Sequence, residues 1–254
     1  MPLATCHSCE FVENRHGFTL IELSIVLVII GLVIGGVLVG RDLIKAAEIR
    51  AQVSQIEKFN SAVNTFRVKY GGLPGDLKYT EAQGFGLYYV TNATYIGYLG
   101  YGDGNGLMNT GGCGAFMTIC QYAELVGEPY MFWRHLSDAK LIDGNYGANL
   151  GTFGNSAATS SISVINTFLP PAKIGQATIE ANYAGNGTNY YVLMNIANIW
   201  GNGGNGVSSN PLTAQEAYSI DQKIDDGLPA TGSVIAIDAN GNQQFIVSPT
   251  VNLD

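Results

Sequence analysis

FTLIELSIVLVIIGLVIGGVLVG, residues 18–40, is a run of 23 residues with one charge, Glu22. At a rise of about 1.5 Å per residue, a helix of this length crosses a hydrocarbon core about 30 Å thick. A buried helix of a soluble domain is usually shorter and amphipathic. A secretory signal peptide has an apolar run of about 7–15 residues, followed closely by a small-residue cleavage site. This run is longer. It leads directly into RDLIKAAEIRAQVSQIEKFNSAVNTFRVKY, residues 41–70, which is charged and helix-compatible. The stretch therefore reads as a membrane helix that is kept. A lone carboxylate inside such a segment is costly unless it finds a partner, so Glu22 is a functional residue by default.

Beyond the apolar run the helix should continue. Ile49, Ile56, Val63 and Tyr70 recur every seven residues, and Phe59 and Phe66 fall three residues after Ile56 and Val63. That is one apolar stripe at helical spacing, with Glu48, Glu57, Lys58, Arg67 and Lys69 off it. The stripe predicts a helix packed on its own domain. Gly71, Gly72 and Pro74 end it. If unbroken, residues 18–70 make a helix about 80 Å long. Gly31, Gly35 and Gly36 permit close approach of a neighbouring helix.

Composition limits the rest. The chain has 254 residues, 46% hydrophobic and only 13% charged, against about 25% charged in an average domain. That apolar content excludes a disordered acidic chain. Residues 1–70 carry 7 basic and 6 acidic groups, whereas residues 71–254 carry 5 and 14. An acidic head argues against nucleic acid as a partner, because phosphate contacts need Lys and Arg. Glycine numbers 33 and tyrosine 14, a charge-poor composition that suits a surface outside the cytoplasm.

The string HGFTLIELSIVLVIIGLVIGG, residues 16–36, closely resembles the signal segment of type IV pilins and of type II secretion pseudopilins. The likeness rests on Gly17, on Phe18, on Glu22 four residues further on, and on the unbroken apolar run that follows. It implies that a prepilin peptidase cuts between Gly17 and Phe18 and N-methylates Phe18. Residues 1–17 would leave as a cytoplasmic leader and the apolar helix would stay. It also implies a partner for Glu22: the cationic amine of Phe18 on a neighbouring subunit, which would fix the axial register of a filament. The leader here departs from the usual short basic pattern. Arg15 is its only formal cation beside Glu10 and Glu13, and Arg41 and Lys45 lie on the far side of the span. Loop charge gives no clean orientation, so the topology follows from the resemblance.

The organisation expected is a leader (1–17), a transmembrane half-helix (18–40), an amphipathic half-helix (41–70) and a periplasmic or extracellular head (71–254). The fold class is α+β: the long helix packed on an antiparallel sheet, with additional short helices. GGLPGDL (71–77) resembles the loop that follows the long helix in many prepilin-type proteins. FWRHLSDAKLIDG (132–144) and IDQKIDDGLPATGSV (220–234) resemble other segments of such proteins more weakly. Within the head, residues 115–142 read as helical, closed by Asp143-Gly144, and 145–189 as loops and short strands. Residues 190–198 read as a buried strand and 201–210 as a Gly/Asn loop. Thr213 and Glu216 form a capping box for a helix through Asp226, closed by Gly227 and Pro229. Residues 233–238 and 244–247 flank a hairpin at Ala239–Asn242.

With Cys6 and Cys9 leaving in the leader, Cys113 and Cys120 remain as one pair in an oxidising compartment. A disulfide is the preferred reading, and two buried thiols are its alternative. Asp103 and Asn105, in GYGDGNGLMN, suggest a calcium loop, but Leu107-Met108 break the EF-hand spacing and a Gly/Asn turn is preferred. No other cofactor is expected. For Asp221, Asp225 and Asp226, helix-end solvation, capping contacts and metal binding stand open. No catalytic set emerges. The histidines are 7, 16 and 135, the first two in the leader, and His135 reads as structural beside Trp133 and Leu136.

The sequence thus points to a structural protein, not an enzyme, in the bacterial inner membrane. It would pass the membrane once with its head outside the cytoplasm, and later enter a pilus or pseudopilus. The partners that the resemblance implies are the prepilin peptidase, other pilin or pseudopilin subunits, and an inner-membrane assembly platform with its motor ATPase. The large head favours a minor or specialised pilin, with a type II secretion pseudopilin as the alternative. From another class, the rival is a membrane-anchored periplasmic enzyme or binding protein, which would keep residues 1–17 and need no Glu22.

Overall fold

A computed structural model describes residues 17–89, 102–108, 128–147, 165–175, 177–183, 188–196, 207–209, 212–228, 231–239 and 242–247. The chain divides into two compact units, one reaching to Ala46 and the other starting at Ala47.

Helix α1 spans Leu20–Tyr70 and passes through both units. In the first unit its apolar side chains are exposed on every face. In the second, the predicted stripe is the buried one: Ile49, Gln52, Ile56, Phe59, Ala62, Val63 and Phe66. Arg67 and Lys69 occupy the last turn, where the helix dipole favours cations. The Gly71 N–H closes the helix onto the Arg67 carbonyl at 2.8 Å.

A short helix α2 (Tyr79–Gly84) follows, which the Tyr/Gly-rich sequence did not announce. Helix α3 is Glu128–Asp138, with Pro129 in its first turn, where a missing N–H is harmless. It ends five residues before the expected Asp143-Gly144. Lys140 adopts a left-handed φ of 59°, its N–H bonds the Ser137 carbonyl at 3.0 Å, and the Leu141 N–H bonds the Leu136 carbonyl at 3.0 Å. This is a Schellman ending with lysine in the glycine position. The part of the expected helix before Glu128 lies outside the described residues.

Among the described residues the sheet has five antiparallel strands: β1 (Thr178–Tyr183), β2 (Asn189–Ile196), β3 (Val207–Ser209), β4 (Val234–Ala239) and β5 (Asn242–Val247). Its order is β1-β2-β5-β4, with β3 pairing the far end of β2. Ile179 faces Leu193, Val192 faces Ile246, and Ala239 faces Asn242. Residues 240–241 of the expected hairpin turn lie outside the described residues, as does Pro229. Strand β2 was legible because Tyr190 through Met194 are all buried. Strand β3 is a correction to the loop expected over 201–210. It is three residues long, and backbone pairing with Asn195 and Ile196 needs no side-chain pattern. Helix α4 is Ala214–Ile224, with the Thr213–Glu216 capping box in place.

The core lies where α1, α3 and the sheet meet. The Trp133 ring meets Phe59 edge-on at 4.8 Å and Phe132 at 4.9 Å, and stacks on Tyr191 at 6.0 Å. Aromatic rings of this size dominate the apolar area a small core can bury.

Candidate functional site

The start of α1 brings Gly17, Phe18 and Glu22 together, as sequence adjacency requires. Phe18 is 89% exposed. The Glu22 Oε2 accepts the Thr19 backbone N–H and the Thr19 hydroxyl, both at 2.8 Å, and the Glu22 N–H reaches the Thr19 Oγ1 at 3.3 Å. Thr19 and Glu22 are therefore an N-terminal capping box, which satisfies donors that the first turn leaves open. The sequence reading missed Thr19. Its T-x-x-E signature is the same as that read at Thr213–Glu216.

A side chain added at Gly17 would meet nothing within 4 Å. The fold itself thus gives no steric reason for glycine there. The same holds for Gly31, Gly35, Gly36 and Gly40. Among the described residues, α1 is the one helix long and apolar enough to cross a membrane. From Leu20 to Ile44 its large hydrophobic side chains are exposed, which demands lipid or other chains around it.

In the head, Asp103 lies in a loop built around a residue that sequence reasoning did not single out. The buried Asp76 carboxylate accepts backbone N–H groups from Gly104 at 2.8 Å, Asn105 at 3.2 Å and Gly106 at 2.7 Å. Asp103 bonds the Asn105 backbone and side-chain amides at 2.9 and 2.8 Å, and Asn105 Oδ1 accepts the Leu107 N–H at 2.7 Å. Those are turn-forming contacts of Asp and Asn. Glu128, at the start of α3, accepts the Asp103 N–H at 3.1 Å. One carboxylate oxygen from each of Asp76, Asp103 and Glu128 lies within 4.8 Å of the others. Burial raises the Asp76 carboxyl to about 6, against the pull of the Gly106 and Gly104 N–H groups, and Asp103 adds to the rise. Asp76 and Glu128 were invisible in sequence because their partners lie 25 or more residues away.

Gly75, at φ 90°, lets this loop press on α3, since any side chain there would overlap the Glu128 carbonyl. Its N–H donates to His135 Nδ1 at 2.9 Å, and His135 Nε2 bonds the Tyr88 carbonyl at 2.8 Å. Nδ1 must accept, so Nε2 carries the proton and the ring is neutral. His135 is a buried bracket, as its neighbours suggested. Cys113 and Cys120 lie outside the described residues, as does the leader before Gly17.

Residues 13–38 match the family described as the prokaryotic N-terminal methylation motif. No curated protein and no solved structure gives a significant match to the chain. The matched motif is characteristic of the prepilin-type signal of type IV pilins and pseudopilins. It supports a type IV pilin-like or pseudopilin protein, and so a structural subunit. It implies processing by a prepilin peptidase and assembly with other pilins, and with the apolar helix it is consistent with membrane anchoring followed by a filament.

Proposed function

We propose that the chain is a structural subunit of a type IV pilus-like filament, a minor or specialised pilin. It is anchored in the inner membrane with its head outside the cytoplasm until the assembly platform and its motor extract it. The observation that carries this reading is the methylation motif lying on a helix whose apolar side chains are exposed all round. Cleavage between Gly17 and Phe18 accounts for a glycine that the fold does not need. Cys113 and Cys120 enter the reading as a disulfide of the exported head.

In this reading Glu22 has two tasks. Its Oε2 holds the Thr19 cap. A carboxylate has acceptor capacity left after those bonds, and this would take the Phe18 amine of a neighbouring subunit. Pairing relieves the carboxylate of its cost in lipid and sets the register.

The decisive measurement is intact mass and N-terminal peptide analysis, with and without the cell's prepilin peptidase. A chain starting at N-methyl-Phe18 only when the peptidase is present supports the reading. An uncut chain, or a cut after residue 40, overturns it. Glu22→Ala and Glu22→Gln should both be processed and both assemble poorly. Glutamine can keep the capping box but has no charge, so normal assembly of Glu22→Gln would leave only a capping role. If loss of the protein abolished protein secretion while surface filaments persisted, the pseudopilin alternative would hold instead.

A further inference from the structure

The C-terminal end of α4 collects three acids on a turn that leads into β4. One carboxylate oxygen from each of Asp221, Asp225 and Asp226 lies within 4.8 Å of the other two. Asp225 and Asp226 are exposed, but Asp221 is only 3% exposed. The Gly227 backbone N–H bonds the Asp221 carboxylate, yet its Oδ1 is buried with no hydrogen-bond partner. A buried acceptor left unmade costs free energy of about 1–3 kcal/mol, and more when the group is charged.

The surroundings make this worse. A helix C-terminus carries partial negative charge, so acids are disfavoured there. Lys223 lies in the last turn, but it is exposed and, among the described residues, forms no ion pair with the three acids. Burial, followed by the like charges of Asp226 and Asp225, pushes the Asp221 carboxyl above its usual range, with only the Gly227 N–H opposing.

The two exposed acids are nevertheless held in place. Asp226 Oδ1 accepts the Leu228 N–H and its Oδ2 the Thr231 hydroxyl, both at 2.8 Å. Asp225 Oδ2 accepts the Ser233 N–H. Gly232, at φ 79°, lies so close that any side chain there would overlap the Asp225 carboxylate. The turn is thus shaped to hold carboxylates together, against their repulsion.

We propose that Asp221, Asp225 and Asp226 bind a calcium ion, with the orphaned Asp221 Oδ1 as its buried ligand. All donors are hard oxygens, which suit calcium or magnesium and not the softer metals. Calcium–oxygen distances of about 2.3–2.6 Å place opposed ligands about 4.6–5.2 Å apart, so oxygens within 4.8 Å of one another can share one ion. Magnesium, at about 2.0–2.1 Å and strictly octahedral, sheds its water reluctantly and usually keeps several waters rather than taking a set of protein carboxylates. Each carboxylate oxygen that already accepts one N–H or O–H keeps a second lone pair for the ion. Binding would neutralise the helix end and staple α4 to the start of β4. With three carboxylates on a short turn, the affinity should be that of extracellular calcium modules, about 10⁻⁴–10⁻³ M.

The test uses the full chain in detergent, stripped of metal, with thermal unfolding followed in chelator, in millimolar calcium chloride and in millimolar magnesium chloride. Calcium should raise the Tm by about 3–5 °C, and magnesium by clearly less. Asp225→Asn and Asp226→Asn should each abolish the calcium rise while leaving the Tm in chelator unchanged or higher, because one repulsive charge is gone. Asp103→Asn should keep the full rise. Four results would overturn the site: no calcium rise in the parent chain, a rise that survives both exposed-acid variants, an equal rise with magnesium, or a rise lost in Asp103→Asn. The last would put the ion beside Asp76 and Glu128. Titration calorimetry on the parent chain should give one calcium per chain.

Discussion

Glu180 and His135 are both ionisable, both buried, and opposite in their response to pH. Glu180 lies in β1 opposite Val192 and is 4% exposed, and burial pushes its carboxyl up to about 8. His135 is 1% exposed; burial, against the Tyr88 hydrogen bond, depresses it to about 4. A carboxyl raised in the folded state binds more protons folded than unfolded across that interval. Its stabilising contribution is complete below pH 4.5 and is lost as the pH rises through about 8. For His135 the contribution is complete above about 6.5 and is lost as the pH falls through about 4. Glu180→Gln isolates the first effect, because His135 acts equally in both chains. Urea unfolding of the variant and its parent should agree at pH 4. At pH 9 the variant should be more stable by an amount on the order of a few kcal/mol. A difference that stays constant with pH would show that Glu180 ionises freely in the folded head. Sequence alone disclosed His135 through its apolar neighbours on α3, but it hid Glu180, since TIEANY gives no sign that both faces of β1 are covered. The Thr19–Glu22 box is legible as T-x-x-E, but it stands at the edge of an apolar run, where a carboxylate also signals a partner in lipid.

At the scale of elements, sequence was most informative where a pattern is dense and local. The seven-residue stripe of α1, the apolar run of β2 and the capping box of α4 each follow from side chains within one element. The end of α3 is hidden from sequence for the opposite reason. Asp143-Gly144 carries the usual stop signal, yet the chain stops at Asp138 by placing Lys140 in the left-handed region. That choice follows from the Leu141 N–H closing on the Leu136 carbonyl, with Leu136 fully buried. A left-handed conformation costs a side chain about 1 kcal/mol and glycine almost nothing. Lys140 is exposed and forfeits little contact on replacement. Lys140→Gly should therefore stabilise the head by about 0.5–1 kcal/mol, read as a higher urea midpoint with an unchanged slope. A lower midpoint would mean that the Lys140 side chain contributes more than its backbone costs. Short elements behave differently again. Strand β3 is fixed by backbone pairing with β2 and helix α2 closes on its own neighbouring residues, and no window of sequence that small carries a period.

For the whole molecule, what separates the two units is where apolar surface goes. From Leu20 to Ile44 the hydrophobic side chains of α1 have no described partner in the chain, whereas from Ile49 onward its stripe is sealed against α3 and the sheet. Such an exposed run cannot stay dispersed in water, because contiguous apolar patches on soluble monomers rarely exceed a few hundred Å². The division near Ala46 also falls where a helix can begin again. A chain starting at Ala47 would have Glu48 in its first turn, favourably placed against the helix dipole. It would keep Ile49 and every later stripe residue. Residues 47–254 should therefore be monomeric in water without detergent, by size-exclusion chromatography. They should melt within a few degrees of the full chain and keep its calcium-dependent rise in Tm, because α4 and β4 lie in that unit. The full chain should require detergent or lipid. If the shorter chain aggregated or failed to melt cooperatively, the apolar half of α1 would be part of what folds the head. Assembly would then begin from a protein whose two units are not separable. If it behaves as expected, the first unit carries attachment and polymerisation alone, and the head is free to carry whatever the filament presents at its surface.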